Sequence, residues 1–284
     1  MISIHTIGVI GAGQMGRGIA QTAITARFNV ILYDVSSDQL KTAQTLIQTS
    51  LEKLATKGII KEPPQAILKR LSFCQHLKDL RESDFIIEAA PEDESLKNTI
   101  FKEVTPYLKS VAIVASNTSS LSITRLASRT DRPERFIGMH FMNPVPLMQL
   151  VEITKGLATS EEAYRITHQL SKSLGKEIAV SKDTPGFIIN RILMPMINEA
   201  IVTLQEGVGT REDIDKSMKL GAHHPMGPLE LADFIGLDTC LAIMRVLHQG
   251  LGEDKYRPCP LLTTYVDAGW LGRKTGRGFY EYPQ

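Results

Sequence analysis

A histidine and a glutamate, His140 and Glu152, are the residues of this 284-residue sequence best suited to acid–base chemistry. His140 follows the apolar run Phe136–Met139, and Glu152 interrupts the apolar run Leu150–Ile153. Histidine can take a proton from an alcohol at neutral pH, because small shifts move its pKa across that range. A carboxylate on the other ring nitrogen would orient the imidazole and stabilise its cation. Glu152 lies 12 residues after His140, which lets two neighbouring strands bring the pair together.

Two further polar residues, Ser119 and Asn190, also stand beside apolar segments. Ser119 belongs to Ser116-Asn117-Thr118-Ser119-Ser120, which follows a predicted strand, and Asn190 opens the first helix after Pro185-Gly186. Ligands of open α/β sheets bind at the carboxyl ends of the strands. We therefore expect Ser119 and His140 to meet a substrate there.

Each of these four residues also has a structural interpretation that the sequence leaves open. Ser119 or Ser120 can cap the helix near Ile123, and a histidine at a strand end is more often structural than catalytic. Glu152 can face solvent on an alternating strand, and Asn190 can lie on the surface of its helix.

A glycine-rich segment, Gly11-Ala12-Gly13-Gln14-Met15-Gly16, follows a β-branched run and opens a predicted helix. In this GxGxxG pattern Gly11 permits a tight turn, Gly13 lets the backbone approach a pyrophosphate, and Gly16 lets helix and strand pack closely. The free N–H groups at the start of the helix then face the phosphates. The segment predicts a dinucleotide site, and the alternative is a turn shaped by its glycines.

An acidic residue, Asp34, ends the next predicted strand, 23 residues after Gly11. A carboxylate at this place accepts hydrogen bonds from the ribose 2′-hydroxyl and repels a 2′-phosphate. Asp34 therefore favours NAD over NADP, unless it only caps the following helix.

The first half of the chain alternates short β-branched runs with longer helical patterns. The predicted strands are Thr6–Ile10, Val30–Tyr33, Phe85–Glu88, Ala112–Ala115, Arg135–His140, Gln149–Ile153 and Glu177–Val180. The predicted helices are Gln14–Ala26, Ser37–Lys57, Ser95–Tyr107, Ile123–Ala127 and Glu161–Ser173. This alternation implies βαβ units and a Rossmann-type α/β fold with a mostly parallel sheet.

The pattern changes after Pro185-Gly186, where a turn signal precedes an all-helical region. The predicted helices there are Phe187–Gln205, Arg211–Leu220 and Pro228–Gln249. We predict an NAD-binding Rossmann-like domain over residues 1–185 and a helical substrate and dimerisation domain over residues 186–284.

One predicted helix of the first domain, Ser37–Lys57, is long for this fold. With a second helix around Gln65–Leu71 it forms a predicted helical hairpin insertion. Such a hairpin can project from the domain and contact a large ligand, or it can be an ordinary helical insertion.

Bulk composition excludes several classes of protein. The net charge of +1 argues against a nucleic-acid or membrane-surface partner held by bulk charge. Cys74, Cys240 and Cys259 are widely spaced and His223-His224 has no third ligand nearby, so we expect neither a disulfide framework nor a metal. The N-terminus shows no signal-peptide pattern, and no apolar run is long enough to cross a bilayer. We therefore expect a cytoplasmic protein.

Six segments of the chain resemble the 3-hydroxyacyl-CoA dehydrogenase family, and the resemblance runs nearly end to end. They are Gly8–Gln21, Phe85–Glu92, Ser116–Leu121, His140–Glu152, Asp183–Arg191 and Gly272–Tyr280. The resemblance implies an oxidoreductase that interconverts (S)-3-hydroxyacyl-CoA and 3-oxoacyl-CoA with NAD(H). It is closest to the monofunctional bacterial form, which implies 3-hydroxybutyryl-CoA and acetoacetyl-CoA as substrates, in butanoate and fatty acid metabolism.

The resemblance also implies roles for individual residues. It implies a catalytic His140 paired with Glu152, with Ser119 and Asn190 holding the substrate oxygens. The implied contacts with NAD are Gly11, Gly13, Gln14, Met15, Gly16, Asp34, Glu92, Lys97, Asn143 and Lys274. The implied contacts with the CoA substrate are Ser50, Lys57 and Ser119. The chain departs from its relatives at Asp93, where they often carry asparagine.

Two other functions remain open at this point. One is an NAD-dependent dehydrogenase of a free 3-hydroxy acid, of the L-gulonate or carnitine type, which would share the fold, the cofactor and the histidine. The other is a nucleotide-binding protein without catalysis, against which the retention of a proton acceptor argues. The family resemblance further implies a homodimer formed through the helical domain.

Overall fold

A computed structural model describes residues 4–283 of the chain. The chain divides into two compact units, Met1–Thr184 and Pro185–Gln284. The predicted boundary lies one residue later, before Gly186. Within the described residues, no helix is both long and apolar enough to span a membrane.

The first unit is built on one eight-stranded sheet with the strand order β3-β2-β1-β4-β5-β6-β7-β8. Its strands are β1 (Thr6–Ile10), β2 (Asn29–Tyr33), β3 (Leu71–Cys74), β4 (Phe85–Glu88), β5 (Ile113–Ser116), β6 (Phe136–Phe141), β7 (Leu150–Lys155) and β8 (Glu177–Lys182). All neighbouring strands are parallel except β6 and β7, which confirms the predicted mostly parallel sheet. The central strands β4, β5 and β6 are buried throughout, as expected of strands covered on both faces.

Six α-helices accompany this sheet. They are α1 (Gln14–Thr25), α2 (Ser37–Thr56), α3 (Pro64–Leu68), α4 (Glu94–Val104), α5 (Ile123–Ala127) and α6 (Glu161–Ser173), with short 3-10 helices at Leu77–Glu82, Thr105–Tyr107 and Pro133–Arg135. The helix predicted over Ser95–Tyr107 ends at Val104, because Pro106 lacks the N–H that would continue it. The short strand β3 was absent from the prediction, which extended α3 to Leu71.

The antiparallel pair β6 and β7 carries the two residues that the sequence selected for acid–base chemistry. The register places His140 opposite Glu152, so both side chains point to the same face of the sheet. The next pair, Phe141 and Val151, points to the other face. Backbone pairing alone thus brings the histidine and the glutamate together.

The hairpin of α2 and α3 packs on the core of the first unit. Leu40, Ala43, Ile47 and Leu51 form a buried stripe along α2 at helical spacing, and Ile67 of α3 joins the same core. Only the last turn of α2 extends beyond this stripe. The packing favours the interpretation of the hairpin as a helical insertion into the domain.

The second unit is helical, with a core of its own. Its helices are α7 (Ile189–Gln205), α8 (Arg211–Gly221), α9 (Pro228–Ile235), α10 (Leu237–Leu251) and α11 (Pro260–Asp267), with 3-10 turns at Asp254–Tyr256 and Arg273–Thr275. The single helix predicted over Pro228–Gln249 is wrong, because Gly236 adopts a φ of +102° and divides it into α9 and α10. The helix α11 was also missed.

A buried carboxylate, Asp233 of α9, fastens the C-terminal segment to this core. It is 1% exposed and accepts hydrogen bonds from the backbone N–H groups of Phe279 and Tyr280, both at 2.9 Å, and from the Tyr282 hydroxyl at 3.0 Å. Burial raises the pKa of Asp233, and these donors oppose the rise. Asp233 therefore helps to hold the C-terminal segment, in which isolated bridges pair Gly272 with Arg277 and Arg277 with Glu281.

Candidate active site

His140 and Glu152 form a buried pair. His140 Nδ1 lies 2.8 Å from Glu152 Oε2, and the two residues are 8% and 1% exposed. An ionised carboxylate only accepts hydrogen bonds, so the contact requires a proton on Nδ1. The alternative in which Glu152 faces solvent is wrong. The pair has the geometry that a carboxylate needs to orient an imidazole and stabilise its cation.

The polar loop after β5 is attached directly to β6 beside the histidine. The backbone N–H of Phe141 donates to Asn117 Oδ1 at 2.9 Å, and the N–H of Asn117 donates to the carbonyl oxygen of Glu88 at 2.7 Å. The loop thus begins from a fixed position between β4 and β6. The cap of the following helix α5 is Ser122, whose hydroxyl accepts from the Arg125 N–H, so neither Ser119 nor Ser120 is its N-cap.

One carboxylate oxygen, Oε1 of Glu92, gathers this loop. It accepts from the hydroxyl of Thr118 at 2.6 Å and from the backbone N–H of Ser119 at 2.8 Å. The hydroxyl groups of Ser119 and Ser120 and the N–H of Ser120 lie 3.1 Å from the same oxygen. Burial alone would raise the pKa of Glu92, but the charge of Lys97 and these donors outweigh it and hold the pKa below its usual value. Glu92 is therefore an anionic anchor for the Ser119 loop.

A buried ion pair between Lys97 and Glu88 lies next to Glu92. Lys97 Nζ lies 2.6 Å from Glu88 Oε1, and both side chains are fully buried, while Glu92 Oε2 lies 3.7 Å from the same ammonium. The second oxygen of Glu88 accepts from the Ser116 hydroxyl at 2.6 Å. Burial raises the pKa of Glu88, and Lys97 and Ser116 oppose the rise. Lys97 is one of the predicted site residues, whereas Glu88 is not, because its only signal in the sequence is an acid at the end of an apolar strand.

The glycine-rich loop has the geometry that its pattern predicts. Gly11 has a φ of +99°, and a Cβ there would lie 2.7 Å from the carbonyl oxygen of Ala89. A Cβ at Gly16 would overlap the carbonyl oxygen of Gly11. At Gly13, by contrast, no described atom lies within 4 Å of a Cβ, and the helix α1 begins there without a side-chain cap. The backbone is therefore open at the place where a dinucleotide phosphate would approach.

Asp34 stands at the end of β2 next to this loop. Its Oδ2 accepts from the Ala12 N–H at 2.8 Å, and its Oδ1 accepts from the Ser36 N–H at 2.9 Å. The N-cap of α2 is Ser36, so the interpretation of Asp34 as the helix cap is wrong. Each carboxylate oxygen keeps a second lone pair for a ribose hydroxyl. The loop and the acid together fit an NAD molecule.

Two further predicted cofactor contacts meet at the start of α1. Gln14 Nε2 donates to Asn143 Oδ1 at 3.0 Å, which joins the glycine-rich loop to the segment after β6. Met15 is half-buried and packs against the core of the first unit.

Four predicted site residues lie outside the clusters described above. Ser50 accepts a hydrogen bond from Gln21 Nε2 at 2.9 Å, and Lys57 is exposed at the C-terminal end of α2. Asn190 lies in the first turn of α7 and is 7% exposed. Lys274 pairs with Asp238, its ammonium 2.6 Å from each carboxylate oxygen. Asn190 and Lys274 belong to the second unit.

The described residues, 4–283, contain no group of three or more histidine, cysteine, aspartate or glutamate side chains that could hold a metal ion. His223 and His224 accordingly have no such cluster around them.

Fold and site together define a dinucleotide-binding enzyme of the Rossmann class, with a buried acid–histidine pair at the carboxyl edge of its sheet. Two models of known protein families match the chain: the 3-hydroxyacyl-CoA dehydrogenase NAD binding domain over residues 6–184 and the C-terminal domain of the same family over residues 186–282. The chain belongs to the 3-hydroxyacyl-CoA dehydrogenase family, which confirms the predicted resemblance. It is an NAD-dependent oxidoreductase.

Individual relatives agree with the family models. The 3-hydroxybutyryl-CoA dehydrogenase of Bradyrhizobium diazoefficiens is 60% identical over 98% of this chain and 96% of its own length. The mitochondrial hydroxyacyl-coenzyme A dehydrogenase of Rattus norvegicus is 42% identical over 99% of this chain and 92% of its own. The crystal structure of (S)-3-hydroxybutyryl-CoA dehydrogenase from Ralstonia eutropha superposes with a TM-score of 0.96 at 48% identity, covering 99% of this chain and 100% of that one.

Proposed function

We propose that this chain interconverts (S)-3-hydroxybutyryl-CoA and acetoacetyl-CoA, the four-carbon case of its family's reaction. The observation that carries the proposal is the buried contact of 2.8 Å between His140 Nδ1 and Glu152 Oε2. A carboxylate-supported imidazole is what general acid–base catalysis needs, whereas nucleotide binding alone does not require one. The names of the bacterial relatives at 48–60% identity support the four-carbon substrate.

Proton transfer falls to the histidine in this proposal. Bound NAD supplies the hydride acceptor for oxidation, and NADH the donor for reduction. Since Nδ1 faces Glu152, His140 takes the proton of the 3-hydroxyl group at Nε2 and returns it to the 3-oxo oxygen in reduction. Glu152 stabilises the imidazolium that forms and holds the tautomer.

Ser119 and Asn190 are proposed to donate hydrogen bonds to the oxygens at C3 and at the thioester. Donors held at fixed positions stabilise charge that develops on a reacting carbonyl oxygen. The anchoring of the Ser119 loop on Glu92 supports this role, because it fixes the loop from both its backbone and its hydroxyl groups. The CoA contacts of Ser50 and Lys57 and the cofactor contact of Lys274 stay predictions.

The dinucleotide is proposed to lie on the glycine-rich loop with its adenosine ribose at Asp34. The open backbone at Gly13 and the uncapped start of α1 support this placement for the pyrophosphate. Glu92, Lys97, Asn143, Gln14 and Met15 are proposed to complete the cofactor site.

The proposed placement predicts the behaviour of Gly13→Ala. The apo protein should be as stable as wild type, because φ is −65° and no described atom meets the new methyl group. NADH binding should weaken about 10-fold or more, since overpacking a close contact costs ~1–3 kcal/mol. Thermal melting checks the stability of the apo protein, and a fluorescence titration with NADH checks the affinity. Gly221→Ala, where a Cβ is equally unhindered, should leave both unchanged; a Gly13→Ala protein with wild-type affinity would argue against the placement.

A homodimer formed through the helical unit is also proposed. Three large apolar side chains of this unit are mostly exposed: Ile192 (68%), Val208 (73%) and Leu220 (80%). Contiguous exposed apolar surface is typical of sites that bind another protein, and these three side chains are the candidates for such a surface. The mass in solution, measured by light scattering, tests this proposal, and the cytoplasmic location stays a prediction.

Substrate class is tested by comparing acetoacetyl-CoA with free 3-hydroxy acids. We expect NADH-dependent reduction of acetoacetyl-CoA, weaker reduction with NADPH because of Asp34, and no detectable NAD-dependent oxidation of L-gulonate or carnitine. The change in NADH absorbance measures each reaction. Turnover confined to the free acids would reject the proposed substrate and favour the alternative dehydrogenase.

A further inference from the structure

The ammonium of Lys176 is a buried charge that the mechanism does not use. The residue is 4% exposed, and its Nζ donates to two backbone carbonyl oxygens, those of Val145 at 2.6 Å and Met148 at 2.7 Å. None of the ion pairs found within residues 4–283 involves Lys176. Burying a charge without a counter-charge is costly, and the burial lowers the pKa of this lysine. The role of this ammonium is therefore to be found in the segment whose carbonyl oxygens it binds.

Both acceptors belong to the connection between β6 and β7, residues 142–149, which we call the β6–β7 loop. This loop begins two residues after His140 and ends three residues before Glu152, and it carries Asn143. Within it, the N–H groups of Leu147 and Met148 share the carbonyl oxygen of Pro144, both at 3.0 Å. The loop has few internal hydrogen bonds, and the ammonium of Lys176 therefore contributes much of what fixes its path.

The lysine itself is fixed from the opposite side. It directly precedes β8, and its backbone N–H donates to the carbonyl oxygen of Ser171 in α6 at 3.0 Å. Gly175 before it has a φ of +73°, which ends the helix and turns the chain toward the strand. The ammonium is thus held at a defined position under the loop.

The other face of the β6–β7 loop rests on α1. A Cβ at Gly18 would lie 3.0 Å from Val145 Cβ and 3.1 Å from its Cγ2, so a side chain there would require the loop to move back by a few tenths of an ångström. Four residues earlier on the same helix, Gln14 Nε2 donates to Asn143 Oδ1 at 3.0 Å. The loop is therefore clamped between Lys176 and the helix that starts at the glycine-rich loop.

We propose that Lys176 is a positioning residue for dinucleotide binding, which acts by holding the β6–β7 loop against α1. It touches no reacting atom. Its two hydrogen bonds keep Asn143 beside the first turn of α1, where Gln14 and the glycine-rich loop meet it. The inference rests on the proposed function in one respect, the assignment of Asn143 to the cofactor site.

Lys176→Met tests the proposal, because methionine keeps the length and apolar character of the side chain but has no donor. We expect the dissociation constant of NADH and its KM to rise about 10-fold or more. The reason is that loss of the two hydrogen bonds would displace Asn143, and a small displacement of a binding group is costly even when the substituted residue lies elsewhere. In the ligand-free protein, amide exchange at Leu147 and Met148 should become faster. Lys176→Arg, which keeps the charge and the donors, should recover part of the affinity. Lys172→Met is the matched control, because Lys172 on α6 is half-exposed and pairs only with Glu177 among its described contacts.

Gly18→Ala perturbs the same loop from its other side and keeps the proposal testable should Lys176→Met not fold. Alanine is the better helix former, so helix propensity does not weaken α1, while the new methyl group presses on Val145. A rise in the NADH dissociation constant together with faster exchange in the loop would support the proposal. Wild-type NADH affinity in folded Lys176→Met, or in Gly18→Ala, would overturn it even if the melting temperature fell. These titrations need no acyl substrate, so they test Lys176 independently of the proposed function. A wild-type protein that binds NADH but does not reduce acetoacetyl-CoA would reject the proposed function, and the NADH affinities of the variants would still decide the role of Lys176.

Discussion

His140→Gln should lower turnover by about 10²- to 10⁴-fold, the usual contribution of a positioned general base. Glutamine fills a similar volume and can still donate toward Glu152, so the strand pair β6 and β7 keeps its structure. It cannot exchange a proton at neutral pH. The KM for NADH and the melting temperature should therefore stay close to those of wild type. Steady-state reduction of acetoacetyl-CoA, with NADH fluorescence titration as the second measurement, separates loss of chemistry from loss of binding.

A second histidine provides the control for this variant. His5 is exposed immediately before β1, and His5→Gln should have wild-type turnover. Glu152→Gln should also be slow, because a neutral amide does not stabilise the imidazolium. If His140→Gln turned over at nearly the wild-type rate, the buried pair would be structural and the proposed mechanism would be lost.

Lys97→Met should destabilise the folded chain by about 3–5 kcal/mol, because it leaves Glu88 buried without its counter-charge. Burial already raises the pKa of Glu88, and removing the cation that opposes this raises it further. A carboxyl group with a raised pKa in the folded state favours folding at low pH and loses that contribution as pH rises through the folded pKa. The loss of stability in the variant should therefore be smaller in acid and larger at neutral pH. Denaturant unfolding at a series of pH values measures this dependence.

Two comparisons decide whether the buried charge is the cause. Lys102→Met changes an exposed lysine on the same helix α4 and should cost little. The double variant Glu88→Gln with Lys97→Met removes both charges and should regain part of the lost stability. Equal stability of the single and double variants at neutral pH would contradict the electrostatic explanation.

The strong signals of the fold were visible in the sequence, and the weak ones were not. Strands such as Phe85–Glu88 combine β-branched or aromatic residues in uninterrupted apolar runs, as strands covered on both faces require. The strand Leu71–Cys74 follows a helical pattern without a turn signal, so periodicity could not separate it from α3. Gly236 was predicted to lie within one long apolar helix, because its positive φ depends on tertiary packing that cannot be read from the sequence.

Most of the candidate site was predicted as residue types and much less as contacts. The sequence placed His140 and the glycine-rich loop at the carboxyl ends of strands and Glu152 within the following strand, and the structure places them there. The sequence could not show that Glu92 accepts hydrogen bonds from five donors or that Glu88 is buried next to it. An acid at a strand end has the same sequence pattern whether it is buried or exposed to solvent. Lys176 was missed for the related reason that its carbonyl partners carry no sequence signature.

The reversal of one strand determines how robust such a site is to changes in chain length. A parallel neighbour of β6 would need a crossover of a dozen residues or more, and its register would depend on how that crossover packs. The antiparallel neighbour β7 returns through a short connection, and main-chain pairing sets His140 across from Glu152. Shifting that pairing by one position would send the two groups to opposite sides of the sheet. Insertions or deletions in the connection are therefore tolerated only where they preserve the alignment of the two strands, which makes this ladder the first feature to copy when grafting such a proton-transfer pair onto another protein.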